Sequence, residues 1–134
     1  MSLGFKGTLR NSRADDTRDL VDASGAGVLL IYGGVRPITG GAPPGAALVS
    51  FTLPTPVAAN AVSGVSTWNA IGPQNIAISG GASWFRVEDN IGGFVFDGGV
   101  GVTGSGADME LDSVTFTSGR LISIDNFSIT EGNA

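Results

Sequence analysis

The chain has 134 residues, 42% of them hydrophobic and 14% charged, which supplies enough apolar surface to order one domain and excludes a disordered chain. Cysteine and histidine are absent, which removes disulfides, thiolate and imidazole metal ligands, a cysteine nucleophile and the usual general base near neutral pH. The net charge of −5 is unevenly spread: residues 1–18 hold Lys6, Arg10, Arg13 and Arg18 against Asp15 and Asp16, whereas residues 19–134 hold three arginines against ten acids, so that the body repels nucleic acid and anionic membrane surfaces.

The opening residues 1–6 lack the charged-then-apolar pattern of a secretory signal, and the longest apolar run, Val28–Tyr32, falls far short of the roughly 20 residues that cross a bilayer. Neither a signal peptide nor a membrane span is expected. Residues 8–21 are the one helical candidate, with Thr8 as a possible N-cap, Leu9, Leu20 and Val21 as sparse apolar positions, and Gly25 and Gly27 as the stop. The reading divides the chain into an N-terminal arm with a short helix, residues 1–24, and a β-domain, residues 25–134. Four cations on an otherwise acidic chain mark the arm as a docking segment for an acidic partner. The alternative is a helix folded back over one open end of the β-domain.

Val28–Tyr32 reads as a buried strand closed by Gly33 and Gly34, and residues 36–45, rich in proline and glycine, as an exposed loop. Ala47, Val49, Phe51 and Leu53 alternate with small or polar neighbours, as in a strand with one face inward. Residues 57–72 are ambiguous around Trp68, Gly72-Pro73 reads as a turn, residues 75–79 as a short strand, and Gly80-Gly81 as another turn. In the strand over residues 83–89, Phe85 and Val87 share one face while Trp84, Arg86 and Glu88 share the other, a candidate contact surface.

Asn90 to Gly93 reads as a hairpin turn, with Phe94 and Phe96 following on one face, and residues 98–106 as a flexible stretch. In the last two strand candidates, residues 108–117 and 121–130, the apolar parity slips: Met109 and Leu111 are odd, Val114 and Phe116 even; Ile122 and Ile124 are even, Phe127 and Ile129 odd. β-Bulges near Asp112-Ser113 and Asp125-Asn126 would reconcile both halves with one core. Seven or eight strands at even spacing predict an all-β fold, an antiparallel sandwich of jelly-roll rather than immunoglobulin type, with one short N-terminal helix.

Gly99, Gly101 and Gly104 match a nucleotide-binding fingerprint in letter, but the residues that follow read as turn then strand, so no helix N-terminus is there to hold a pyrophosphate. Glu88 with Asp89, and Glu110 with Asp108 or Asp112, could suggest glycosidase carboxylates; solvated acids at strand ends account for them as well. Asp15, Asp16, Asp19 and Asp22 lack the glycine-containing loop of an EF-hand. Asn126-Phe127-Ser128 fits an N-glycosylation pattern that strand packing explains without sugar. Trp68 and Trp84 could stack on sugar rings, anchor an interface or fill the core. No catalytic residues, metal or cofactor are assigned.

The segments Ser83-Trp84-Phe85-Arg86-Val87, residues 96–101, residues 107–111 and residues 122–130 together resemble a recurring small structural protein of tailed bacteriophages and prophages. The N-terminal half adds Arg10-Asn11, residues 20–23 and residues 29–32 before the Pro-rich loop. Within that group the chain is similar to capsid cement, or decoration, proteins with a jelly-roll fold. The resemblance implies a non-enzymatic virion protein, made in the bacterial host cytoplasm, that binds the outer capsid surface formed by a major capsid protein and stabilises the shell. Self-association as a dimer or trimer is expected on a symmetric shell. Docking or interface residues are then Lys6, Arg10, Arg13, Arg18, Trp84 and Arg86. The rival reading is a tail- or fibre-associated module that binds a host surface glycan through Trp68 or Trp84.

Overall fold

The computed structural model describes residues 4–124 and 126–131. The fold is all-β with one helix. In chain order the elements are α1 (Gly7–Asp22), β1 (Val28–Tyr32), β2 (Val49–Thr52), β3 (Val65–Thr67), β4 (Ile71–Asn75), β5 (Gly80–Gly81), β6 (Trp84–Glu88), β7 (Phe94–Val102), β8 (Met109–Leu111), β9 (Thr115–Phe116), β10 (Leu121–Ile124) and β11 (Ser128–Thr130). The main sheet has the order β2-β1-β6-β7-β8, and three two-stranded ladders, β10–β4, β11–β3 and β5–β9, accompany it. All described pairings are antiparallel except β7 with β8, a departure from the antiparallel expectation.

Period-2 alternation builds the core. Leu29 stands between Phe51 and Val87, and Ile31 between Val49 and Phe85; all six side chains are at most 1% exposed. Burying each such side chain contributes about 1.5–3 kcal/mol. The same core takes in Met109 from β8 of the main sheet, and Leu53, Val57, Trp68, Ile71, Phe116, Ile124 and Phe127 from the smaller ladders and connections. At one end Phe127 meets Trp68 at 4.9 Å and Phe85 at 5.6 Å between ring centroids, both edge-on, the geometry that aromatic quadrupoles favour.

Several local expectations are corrected. A register shift in the β6–β7 pair sets Phe96 opposite Val87 but Phe94 opposite Glu88, with Val95 as the extra residue. Phe96 therefore packs on the core, while Phe94 lies beneath the Arg86 guanidinium, 4.7 Å away, so the two do not share a face. The parity slips of the last two segments are not bulges within long strands. Met109 and Leu111 belong to β8 on the main sheet, whereas Phe116 belongs to β9, which pairs β5. Similarly β10 pairs β4 and β11 pairs β3; Asp125, at the second expected bulge, lies outside the described residues. Each half keeps its own parity because it serves a different ladder, and the strands number eleven among the described residues against the seven or eight expected. Gly72-Pro73 sits in β4, paired only with β10, where an edge strand tolerates proline. Residues 75–79 contribute only Asn75 to a strand, and Gly80-Gly81 forms β5.

Residues 98–102, expected to be flexible, are part of β7. Gly98 is there for space: a Cβ at that position would stand 2.7 Å from the Phe85 ring and 3.1 Å from the Asp108 Cβ, closer than packed atoms approach.

Candidate functional site

The N-terminal segment was expected to carry the docking chemistry, and its helix is held by an unusual means. The helix starts at Gly7 with Lys6 in the cap position and no side-chain cap. Thr8, expected as the N-cap, lies inside the helix and its carbonyl accepts a bond from the Ser12 hydroxyl at 3.0 Å. Leu9 and Leu20 are 44% and 60% exposed; only Ala14 and Val21 are buried. Polar side chains hold the rest of the inward face. Asn11, Asp15, Arg18 and Asp22, spaced four, three and four residues apart, form one stripe of an α-helix. Along it, the Asn11 Oδ1 accepts the Gly64 N–H at 2.7 Å, the Asp15 Oδ1 accepts the Ala61 N–H at 2.8 Å, and the Asp22 carboxylate accepts the Val57 N–H at 3.2 Å. Arg18 donates to the Asn60 side chain at 2.7 Å and pairs with Asp15 and Asp19.

The four predicted docking cations therefore divide into two groups. Arg18 is engaged as described, and Arg10 donates through Nε to the Glu131 carbonyl at 2.9 Å, its guanidinium lying over Gly64. These two tie the helix to its own chain. Lys6 and Arg13 are exposed, with the Arg13 guanidinium 4.3 Å above the Phe5 ring. The spacing of Asn11, Asp15 and Asp22 is present in the sequence, but it makes a polar stripe, whereas a docked helix is ordinarily marked by an apolar one.

Trp84 and Arg86, the other two predicted contact residues, are covered. The loop between β1 and β2 crosses the outer face of the main sheet: Arg86 donates from Nη1 to the Gly41 carbonyl at 3.1 Å and pairs with Glu88 at 2.7 Å, and Gly40 N–H reaches the Asp97 carboxylate at 3.3 Å. Trp84 is 1% exposed, stacked on Tyr32 at 4.4 Å, with its indole N–H donated to the Gly33 carbonyl at 3.3 Å. A face carrying Trp84, Tyr32 and Leu30 is too apolar to leave in water, and the chain seals it with its own loop. The loop, exposed on its outer side as expected, is thus pinned on its inner side.

That cover has a measurable consequence at Tyr32, the chain's single tyrosine. Burial, followed by the negative charge of Glu88 and against the positive charge of Arg86, raises its phenol above the ordinary value of 10.0. The unfolded chain ionises this phenol at a lower pH than the folded one, so its contribution to stability is intact below pH 10 and is lost as pH climbs through the folded value. Phenolate absorbance should titrate above the ordinary value in the native protein and return to it in denaturant; a native midpoint at or below it would contradict the buried geometry.

Of the acids weighed as calcium ligands, Asp15, Asp19 and Asp22 are engaged along α1 as described; of those weighed as catalytic, Glu88 pairs with Arg86 and three others accept backbone N–H groups. Asp89 accepts the Ile91 and Gly93 N–H groups at 3.1 and 2.7 Å, Asp108 accepts Gly99 N–H at 2.8 Å, and Glu110 accepts Gly106 N–H at 2.8 Å. Among the described residues, no three acidic side chains gather as a metal site, and no helix is long and apolar enough to cross a membrane. Gly99 and Gly101 of the fingerprint match lie within β7, with no helix following them. Trp68, like Trp84, is buried, at 5% exposure.

What the described surface does present is apolar side chains on ordered backbone. Val35 and Ile38 are 85% and 86% exposed on the loop that the Arg86, Asp97 and Arg36 contacts fasten down, the last an ion pair to Asp97 at 3.8 Å. No protein-family model matches the chain, and neither a curated protein nor a solved structure matches it.

Proposed function

We propose that the chain is a virion structural protein, a capsid cement protein that binds the outside of the shell built by a major capsid protein and stabilises it. The observation that carries the reading is the fastened loop holding Val35 and Ile38 almost fully in solvent. An ordered loop meets a partner without a further ordering cost, and seating two branched aliphatic side chains in a partner pocket contributes about 1.5–3 kcal/mol each. Many symmetric copies then add avidity to a weak single contact. The resemblance of the β6, β7 and C-terminal segments to phage structural proteins supplies the partner class, and the commitment of Glu88, Asp89, Asp108 and Glu110 to turns and ion pairs favours binding over catalysis. The rival glycan reading rested on Trp68 and Trp84, whose side chains are both buried.

Val35→Ser with Ile38→Ser should weaken binding to purified shells at least tenfold, with melting temperature unchanged. Normal binding by this variant would remove the loop from the interface. A quantitative gel of purified particles tests the role itself: hundreds of copies per particle are expected, and a handful would point to the tail instead.

A further inference from the structure

The outward face of α1 has a pattern that the docked face does not explain. Leu9, Arg13, Asp16 and Leu20, again four, three and four residues apart, form a second stripe on the side of the helix opposite Asn11, Asp15, Arg18 and Asp22. All four are exposed, the two leucines at 44% and 60%, and among the described residues neither Arg13 nor Asp16 has an ion-pair partner. The order of this stripe is self-complementary. Reversed about the midpoint between Ala14 and Asp15, Leu9 falls on Leu20 and Arg13 falls on Asp16.

We infer that α1 is a homodimerisation surface whose occupant is α1 of a second copy, packed antiparallel about a two-fold axis that crosses the helix between Ala14 and Asp15. A two-fold interface requires one patch to complement itself, with each residue meeting the mate of its own counterpart. Here the axis forms two leucine pairs, Leu9 with Leu20 of the second copy and the reverse, and between them two ion pairs, Arg13 with Asp16 of the second copy and the reverse. A parallel pairing would instead set Arg13 against Arg13 and Asp16 against Asp16. The same axis brings Lys6 of the second copy to the C-terminal end of α1, whose last turn carries no cation of its own and whose carbonyl dipoles favour one. The inference gives the expected self-association a specific surface. The inference does not rest on the capsid reading, because it concerns the isolated chain.

One helix face is smaller than the roughly 1,200 Å² of a standard interface, so the dimer is weak, with a Kd on the order of 100 µM. Sedimentation equilibrium of the full chain from low micromolar to millimolar concentration should show monomer converting to dimer. Leu20→Glu and Arg13→Asp should each raise Kd at least tenfold, and Arg13→Asp combined with Asp16→Arg should recover it to within about threefold. Because these side chains are exposed, circular dichroism and melting temperature of the monomers should be unchanged. The register is read directly by cross-linking, since the chain has no cysteine: Leu9→Cys with Leu20→Cys, oxidised with copper phenanthroline, should give a covalent dimer far faster than either single variant. A wild-type chain monomeric at 1 mM overturns the inference. So does a dimer insensitive to Leu20→Glu and Arg13→Asp, a charge swap that fails to recover association, or single cysteine variants that cross-link as readily as the double one.

Discussion

Replacing Asp15 and Asp22 together with alanine should lower the stability of the free protein by about 2–4 kcal/mol, an unusually large effect for two helix-surface acids. Each carboxylate accepts a backbone N–H of the neighbouring extended segment, from Ala61 and Val57. Both of those residues are buried, so water does not fully replace the lost acceptor, and leaving a donor unpaired costs about 1–3 kcal/mol. Asp16→Ala, on the outward stripe, should change stability by less than about 0.5 kcal/mol. Urea unfolding of the two variants beside the wild type measures the difference. Equal, small losses in both would mean that the polar stripe does not hold the helix. Adding Arg10→Ser should lower stability further, the opposite of what a free docking arm predicts, because its guanidinium is bonded to the Glu131 carbonyl.

Trp84→Ala should cost about 3–5 kcal/mol, the range for removing a large aromatic side chain from a packed site. The ring is 1% exposed between Tyr32 and the covering loop, and its loss would also remove the bond that holds Gly33. Trp84→Phe should retain most of the stability, losing the bond to Gly33 but keeping the stack. A variant lacking the indole that unfolds normally yet fails to bind shells would restore Trp84 to the contact role read from the sequence.

In the central sheet β1 was legible as a short continuous run of aliphatic residues, β2 from the alternation that places Val49 and Phe51 inward, and β6 from Phe85 and Val87 on one face. Parity was less informative where the sheet is covered on both sides. Trp84 opposes Phe85 in parity, which marked its face as a candidate contact surface, but a strand between two layers buries both parities. The extra residue Val95 left no trace, because Phe94, Val95 and Phe96 are all apolar and no alternation was there to slip. The parity slips near residues 112 and 125 were visible, yet a slip records only that the inward face resets. A bulge and a change of partner strand leave the same mark. For the helix, the mean pattern was weakly apolar, and the residues that dock it are acids and an amide whose acceptors meet backbone donors 35 to 53 positions away. Such partners have no local signature. The two exposed cations, Lys6 and Arg13, are the part of the predicted site that remains available for contact.

The helix α1 is part of the folded body, with only its outward stripe free for partners. Native-state hydrogen exchange tests this most directly, because it reports the free energy of opening element by element. Amides in the middle of α1, around Ala14, should exchange with the same opening free energy as those of β6 around Phe85, and both should follow global unfolding in urea. If α1 exchanges at the rate of a fraying terminus while β6 stays protected, the helix is a loosely held arm and the account is contradicted.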